Sequence, residues 1–430
     1  MLKDRVKEED GLLNVRKNTL RKETFITHHR YALFFFVFVI LYNYLIIMKA
    51  HIPQMEEPLY SLHLVDFSVG FCTKLLPGAI YYGIFGDHST RTIALVYEMV
   101  LLLLFFAGLS FLLEKFLKRV EKENKGAALF LLILYLTGPC TFHFFANTIG
   151  TLDVYWVFLS LLFFLCLDSK WARWLIPIIC FLMIMVHYAA IVSYILMILI
   201  ILLFKMSGGA KRRIWILIFL LTLVVSVGTV VYFLKYESGN LTMTMDEFDR
   251  FMESRGCEDS YYFNYSLYEN AGDGFVDYHL DVSSNFILGL LKNIVDRIHL
   301  NRQYLSGIEM EFFMTLFNGM MLLSPFLYFT YKVIMKRVID LKGDYLKRIV
   351  YMSLMIQFWV TLFIPILVSA DSGRWGNHSF LVFFTTLLYL MYSDQELKIA
   401  VFERIRSVAK QPLLYFWVYA YQFALLVFLD

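Results

Sequence analysis

Ser369-Ala370-Asp371-Ser372-Gly373-Arg374-Trp375-Gly376-Asn377-His378 is a polar island between two apolar runs, Val350 to Val368 and Phe380 to Tyr392. The first run is long enough to cross about 30 Å of hydrocarbon as a helix, and the second also if its helix begins inside the island. The island is therefore expected at a membrane face. Gly373 and Gly376 permit a tight turn, Asp371 and Arg374 are close enough in sequence to pair, and Trp375 is of the type that settles among headgroups. Two readings stand side by side: a capped reversal whose Asp and Arg neutralise one another, or a site in which Asp371, Arg374 and His378 gather at one rim.

Composition extends the membrane reading to the whole chain. Of 430 residues, 59% are hydrophobic and 18% aromatic, and mean hydropathy is +0.61. A water-soluble core cannot enclose that much apolar surface. Net charge is only +3, so the placement of charges carries the information. Residues 1–30 mix both signs and lack the short apolar core of a cleavable signal, which reads as a cytoplasmic tail. The five cysteines are scattered; free thiols are expected, with a Cys72–Cys257 disulfide as the alternative.

Apolar runs and basic loops alternate along the chain. Spans are expected at about Tyr31–Met48, Thr92–Leu113, Ala127–Phe145, Asp153–Leu167, Trp174–Val186, Ala189–Phe204, Ile214–Leu234, Phe312–Tyr331, Val350–Val368, Phe380–Tyr392 and Leu413–Leu429. Lys and Arg concentrate in every second loop, as in Lys115 to Lys125, Lys205 to Arg213 and Lys332 to Arg348, so those loops are assigned inside. The predicted fold is an all-α polytopic membrane protein of about eleven transmembrane helices. An N-terminal bundle covers 31–235 and the C-terminal helices 311–430. Between them, 236–310 reads as a small external subdomain: fourteen acids face five bases from Glu237 to Glu311. There Met245 to Ser254 has the acidic start of a helix N-terminus, and Asn285 to Leu300 is an amphipathic helix candidate. The large loop lies outside, the N-terminus inside, and Glu396 to Lys410 is a basic amphipathic stretch on the inner side.

Most of the unusual polar residues fall on the predicted outer face. The first outer segment, 51–91, has too few apolar residues to span and too many for a solvated loop, so it is expected in the interface as a short helix or re-entrant hairpin. Asp66 and Lys74 lie two turns apart and share one helical side if that helix is continuous. They are snorkelling ends of an interfacial helix, or else a catalytic acid or base and a phosphate contact. Asp153 opens its span, where the helix dipole alone would favour it. His187 stands between two apolar runs and has no partner nearby in sequence. Glu98 lies within a span, where an ionised carboxylate costs about 3 kcal/mol; Arg91, two turns earlier, or a polar group on another span is its expected partner.

Several chemistries have no motif here. GxxxxGK[ST], HExxH, GxSxG and paired CxxC are all missing from the sequence, which argues against nucleotide hydrolysis and thiolate zinc. No cofactor is expected; a divalent cation on the acids and histidines of the first outer segment is the alternative, although their spacing matches no metal box.

The step Met185-Val186-His187-Tyr188-Ala189-Ala190, the late outer Arg of Asp371-Ser372-Gly373-Arg374-Trp375 and the single large outer loop resemble EpsG-like and Wzy-type bacterial polysaccharide polymerases. The first outer segment with Asp66 is similar in placement to the catalytic-acid loop of class C membrane glycosyltransferases. The resemblance implies a glycosyltransferase or polysaccharide polymerase in the bacterial cytoplasmic membrane, acting at its outer face on a polyprenyl-linked saccharide. Its partners would be that lipid-linked saccharide, membrane lipids and other envelope polysaccharide assembly proteins, with no nucleic acid. Asp66 or His187 would take the proton of the acceptor hydroxyl, and Arg374, Lys74 and Arg91 would hold the pyrophosphate. Asp153, Asp371, Glu98 and His378 would support them. The alternative from another class is a transporter or flippase of a lipid-linked saccharide, or an assembly protein without chemistry.

Overall fold

The computed structural model describes residues 28–50, 55, 57–137, 151–208, 212–236, 240–257, 327–368 and 372–409. Regular structure in them is helical, and extended pairing is confined to one isolated bridge, Gly70 with Leu241. The N-terminal part holds α1 (Arg30–Ala50), α2 (Glu57–Leu64), α3 (Leu75–Phe85), α4 (Arg91–Lys118) and α5 (Lys125–Thr137). Then come α6 (Asp153–Leu167), α7 (Ile176–Val186), α8 (Tyr194–Ser207), α9 (Arg212–Tyr236) and the short α10 (Met245–Ser254). The C-terminal part holds α11 (327–340), α12 (Tyr345–Val368), α13 (Ser372–Ser393) and α14 (Gln395–Ala409).

Four stretches are long and apolar enough to cross a membrane: Arg91–Lys118, Tyr188–Ser207, Arg212–Phe233 and Tyr345–Phe363. The shorter apolar helices Arg30–Tyr44, Asp153–Leu167 and Ala172–Val186 accompany them. Four of the eleven expected spans thus qualify by length and composition among the described residues. The runs expected at 138–145, 312–326 and 413–429 lie outside those residues, as do the helix expected at Asn285–Leu300 and most of the tail. The run expected to end at Tyr331 instead continues as α11 through Lys332, Lys336 and Arg337 to residue 340.

Helix α8 occupies the centre. Ile195, Ile198, Ile201 and Leu202 are fully buried, and the helix packs against α9, α12 and α13. The outer helices instead carry apolar side chains outward. On α9, Leu217, Leu220, Val224, Val227 and Val231 recur every three or four residues and are all exposed, Val224 to 68%. A stripe of that size has no place in water and fits the acyl region of a bilayer.

Two local signals explain boundaries that position the site. Thr244 and Glu247 form a capping box at the start of α10, each side chain satisfying the other's backbone N–H. Asp394 ends α13 and starts α14: its Oδ1 accepts the N–H groups of Glu396 (2.9 Å) and Leu397 (3.2 Å), and its Oδ2 accepts the Tyr351 hydroxyl at 2.7 Å. Burial pushes the Asp394 carboxyl up, but these hydrogen bonds and the nearby Arg337 and Lys347 outweigh it and hold it below the ordinary carboxylate value.

The segment expected at the interface, 51–91, is not one helix among its described residues. Helix α2 ends at Leu64, residues 65–74 form a loop, and α3 begins at Leu75. Asp66 and Lys74 therefore lie at opposite ends of a loop and do not share a helical side. Gly78 explains the tight return of α3, because a Cβ there would lie 1.9 Å from the Val65 carbonyl oxygen. Cys72 and Cys257 are both buried and are not joined in a disulfide, so that alternative is not realised.

Candidate functional site

At one end of the bundle the first turns of α6 and α8 meet the second turn of α13. Asp153, in the first turn of α6, is fully buried, and its Oδ2 lies 3.2 Å from Nε2 of His378. On its other side, His378 Nδ1 is 2.8 Å from the Tyr194 hydroxyl. Nδ1 is hydrogen-bonded to the Tyr194 hydroxyl, while Nε2 sits at ion-pair distance from Asp153 without the alignment of a hydrogen bond. The three side chains then form a Tyr–His–carboxylate relay, with the acid positioned to stabilise an imidazolium. Trp156 closes this group: its Nε1–H donates to the Met183 carbonyl at 3.0 Å, and its ring meets the rings of Tyr194, His378 and His187 at 5.6, 5.5 and 6.0 Å.

His187 follows α7 and precedes the 3-10 turn Tyr188–Val192. Its Nδ1 accepts the Ala189 N–H at 3.1 Å. The neutral ring therefore carries its proton on Nε2, which makes it a hydrogen-bond donor and not a base in this geometry. The backbone N–H of Lys74 donates to the Met185 carbonyl at 2.9 Å, which fastens the 65–74 loop beside this turn. Lys74 itself has φ of 70°, the one non-glycine with positive φ among the described residues. Such a conformation costs about 1–3 kcal/mol and persists where surrounding structure holds it, often near a site.

Arg374 lies in the first turn of α13, one turn before His378. Its side chain, like all of Asp371, lies outside the described residues. Asp153, His187 and His378 are thus brought together, with the Lys74 backbone adjoining them.

Asp66 is engaged elsewhere. Its Oδ1 accepts the Ser68 N–H at 2.8 Å and the Ser68 hydroxyl at 2.5 Å, and its Oδ2 pairs with Arg255 Nη2 at 2.8 Å. Burial acts to raise this carboxyl, yet the Ser68 hydrogen bonds and the Arg255 guanidinium together hold it below the ordinary carboxylate value. Both oxygens are occupied, which suits a loop-closing role better than proton abstraction. Arg255 also donates to the Leu64 carbonyl and lies 3.7 Å from the Tyr82 ring and 4.0 Å from the Phe251 ring. Residues 240–257 clamp the loop further, with Thr242 N–H donating to Val69 O at 2.9 Å and Asn240 Nδ2 to Phe71 O at 3.0 Å.

Glu98 finds a partner on α2, in His63. His63 Nδ1 is 3.1 Å from the Leu59 carbonyl, so that nitrogen carries a proton, and Nε2 shares another with Glu98 Oε1 at 2.9 Å. Both side chains are buried, and the pair is net neutral whichever group holds the shared proton. Tyr81 packs edge-on to His63 and accepts a hydrogen bond from Ser89, which also contacts the Tyr60 hydroxyl. Arg91 is exposed, within electrostatic reach of Tyr60.

Tyr194, Trp156, His63 and Arg255 complete these arrangements, and the sequence alone does not single them out as site residues. His63 offered a signal in hindsight, as a lone imidazole between Leu62 and Leu64. Among the described residues, no group of three His, Cys, Asp or Glu converges as a metal site. No protein-family model, no curated protein and no solved structure matches this chain.

Proposed function

We propose that the chain is a membrane glycosyltransferase or polysaccharide polymerase that takes a polyprenyl-(pyro)phosphate-linked saccharide at the outer face of the bacterial cytoplasmic membrane. The observation that supports this reading is the buried Asp153–His378–Tyr194 relay, one helical turn from Arg374 and beside the His187 turn that anchors Lys74.

In this reading the acceptor sugar hydroxyl gives its proton to the Tyr194 oxygen as Tyr194 passes its own to His378 Nδ1, and Asp153 stabilises the imidazolium. The acceptor oxygen forms a bond to the anomeric carbon, whose bond to the pyrophosphate oxygen breaks. Arg374 and Lys74 offset the charge that develops on the leaving pyrophosphate, and His187 Nε2–H donates to it. Asp66 shapes the loop that carries Lys74 and takes no proton.

The test is product formation from a lipid-linked oligosaccharide donor by the purified chain in detergent. Product that is lost in Arg374→Ala and His378→Gln, in protein that still elutes as a folded species, is the expected result. Transport of a lipid-linked saccharide is the second reading, favoured by the two buried His–carboxylate pairs, His63–Glu98 and His378–Asp153, which suit proton coupling. Micelles have no two sides, so a transporter makes no product there, and an inert wild-type chain overturns the transferase reading.

A further inference from the structure

Helices α4, α6, α8 and α13 each run from the His378 end to the opposite end, and there a second group of charged side chains converges. The 15 residues of α6 rise about 22 Å between the two. Lys115 and Arg119 come from the end of α4, Arg173 from the 3-10 turn Ala172–Leu175, and Lys205 from the last turn of α8. Arg119 lies 4.0 Å from the Tyr392 ring, Arg173 lies 5.6 Å and Lys205 5.7 Å from the Trp215 ring. Lys205 is also within electrostatic reach of both Lys115 and Arg119.

One acid offsets these four cations. Asp168 pairs with Lys115 and is the single carboxylate in ion-pair contact with any of them among the described residues. Arg173 is nevertheless only 8% exposed. Lys205 is partly buried, and Lys115 and Arg119 stand exposed at the rim; like charges gathered where burial is partial repel more strongly than they would in water. An anion supplied from outside relieves that repulsion. Arginine forks beside lysine ammonium groups, flanked by aromatic rings, match the chemistry of a phosphate group.

The surroundings favour a phosphate attached to a lipid. Trp171 (86% exposed), Trp174 and Leu175 flank Arg173 and are open to the outside of the bundle. Exposed Trp beside an apolar face marks headgroup depth. A phosphate seated among the cations thus has apolar surface next to it for acyl chains.

We propose that Lys115, Arg119, Arg173 and Lys205 form a binding site for the phosphate of an anionic lipid, in the leaflet opposite the Asp153–His378 end. It is independent of the reaction proposed above.

Native mass spectrometry of the full chain, titrated in detergent with phosphatidylglycerol or phosphatidylcholine, tests this. One phosphatidylglycerol is expected to stay bound per chain, with phosphatidylcholine lost. The double variant Arg119→Gln, Lys205→Gln is expected to bind phosphatidylglycerol about thirtyfold more weakly, from the loss of two cation–headgroup contacts. Lys205→Arg is expected to keep the lipid. If the double variant does not fold, Lys115→Gln, half exposed in the native chain, is expected to lose about fivefold. Equal retention by folded variants, or equal retention of both lipids, overturns the proposal. Displacement of the bound lipid by millimolar inorganic phosphate overturns the lipid assignment in favour of a soluble phosphate.

Discussion

Asp153 Oδ2 and His378 Nε2 lie 3.2 Å apart at the meeting of α6 and α13, with side chains 0% and 1% exposed. A carboxylate at a helix start gains from the dipole without any partner, but one removed from solvent needs a counter-charge or hydrogen bonds. His378 Nε2 lies at ion-pair distance and is a counter-charge when the ring is protonated, and Tyr194 fixes the far side of the ring. Asp153→Asn keeps the shape and removes the charge that supports an imidazolium. On the transferase reading, activity is expected to fall about 10²–10⁴-fold. Donor affinity, measured by lipid-linked substrate titration, is expected to stay near the native value. A variant as active as the native chain would remove the relay from the mechanism.

The Asp66–Arg255 pair ties residues 240–257 to the 65–74 loop, and its contribution depends on pH. Asp66 has a folded-state value below its unfolded one, so the stability it contributes is fully present above the unfolded carboxylate value. It is lost as pH falls through the folded value. Arg255→Gln is expected to weaken the dock by about 1 kcal/mol at neutral pH, and by less in acid. Hydrogen exchange in residues 66–74 and 240–257 reads this out: protection is expected to fall in the variant at pH 7 and to converge with the native chain at low pH.

The parts of this architecture legible in the sequence are those set by neighbouring residues. Helix α10 begins where Thr244 and Glu247 can cap it, the apolar helices around His187 break at that residue, and α13 starts inside the polar island at Ser372. Partners were not legible. The sequence offers Glu98 either Arg91 or a polar group on another span, and the group that meets it is His63 on the short helix α2. Helices α4 and α6 are apolar around their whole circumference, so periodicity does not say which side turns inward. Only packing decides it. For the same reason the acid in the relay is Asp153, while Asp66, in the more conspicuous loop, spends its oxygens on Ser68 and Arg255.

Two glycines in α3 separate close packing from helix propensity. A Cβ on Gly78 would lie 1.9 Å from the Val65 carbonyl oxygen, and backbone cannot swing aside as a side chain can; a Cβ on Gly83 meets nothing within 4 Å. Gly78→Ala is expected to destabilise by about 1–3 kcal/mol and to loosen the 65–74 loop. Gly83→Ala is expected to be neutral or stabilising by about 0.5–1 kcal/mol. Thermal midpoints of the two variants in one detergent check the order.

Glu98 discriminates between a charge and a hydrogen bond as the feature that holds α2 to α4. The Leu59 carbonyl keeps a proton on His63 Nδ1, leaving Nε2 to face Glu98 at 2.9 Å. A glutamine amide at position 98 can donate to that nitrogen in its neutral form, so Glu98→Gln retains one bond and removes the need for a shared proton. Glu98→Ala leaves Nε2 facing a void, and a buried ring nitrogen without a partner costs about 1–3 kcal/mol in addition to the lost packing. The expected order of thermal midpoints is native and Glu98→Gln close together, with Glu98→Ala well below. If the bond suffices, Glu98→Gln also leaves activity intact on the transferase reading, in which the proton moves through Tyr194 and His378. A Glu98→Gln chain that is stable yet inactive would instead mean that the proton shared with His63 moves during turnover, which is the behaviour of the transport reading.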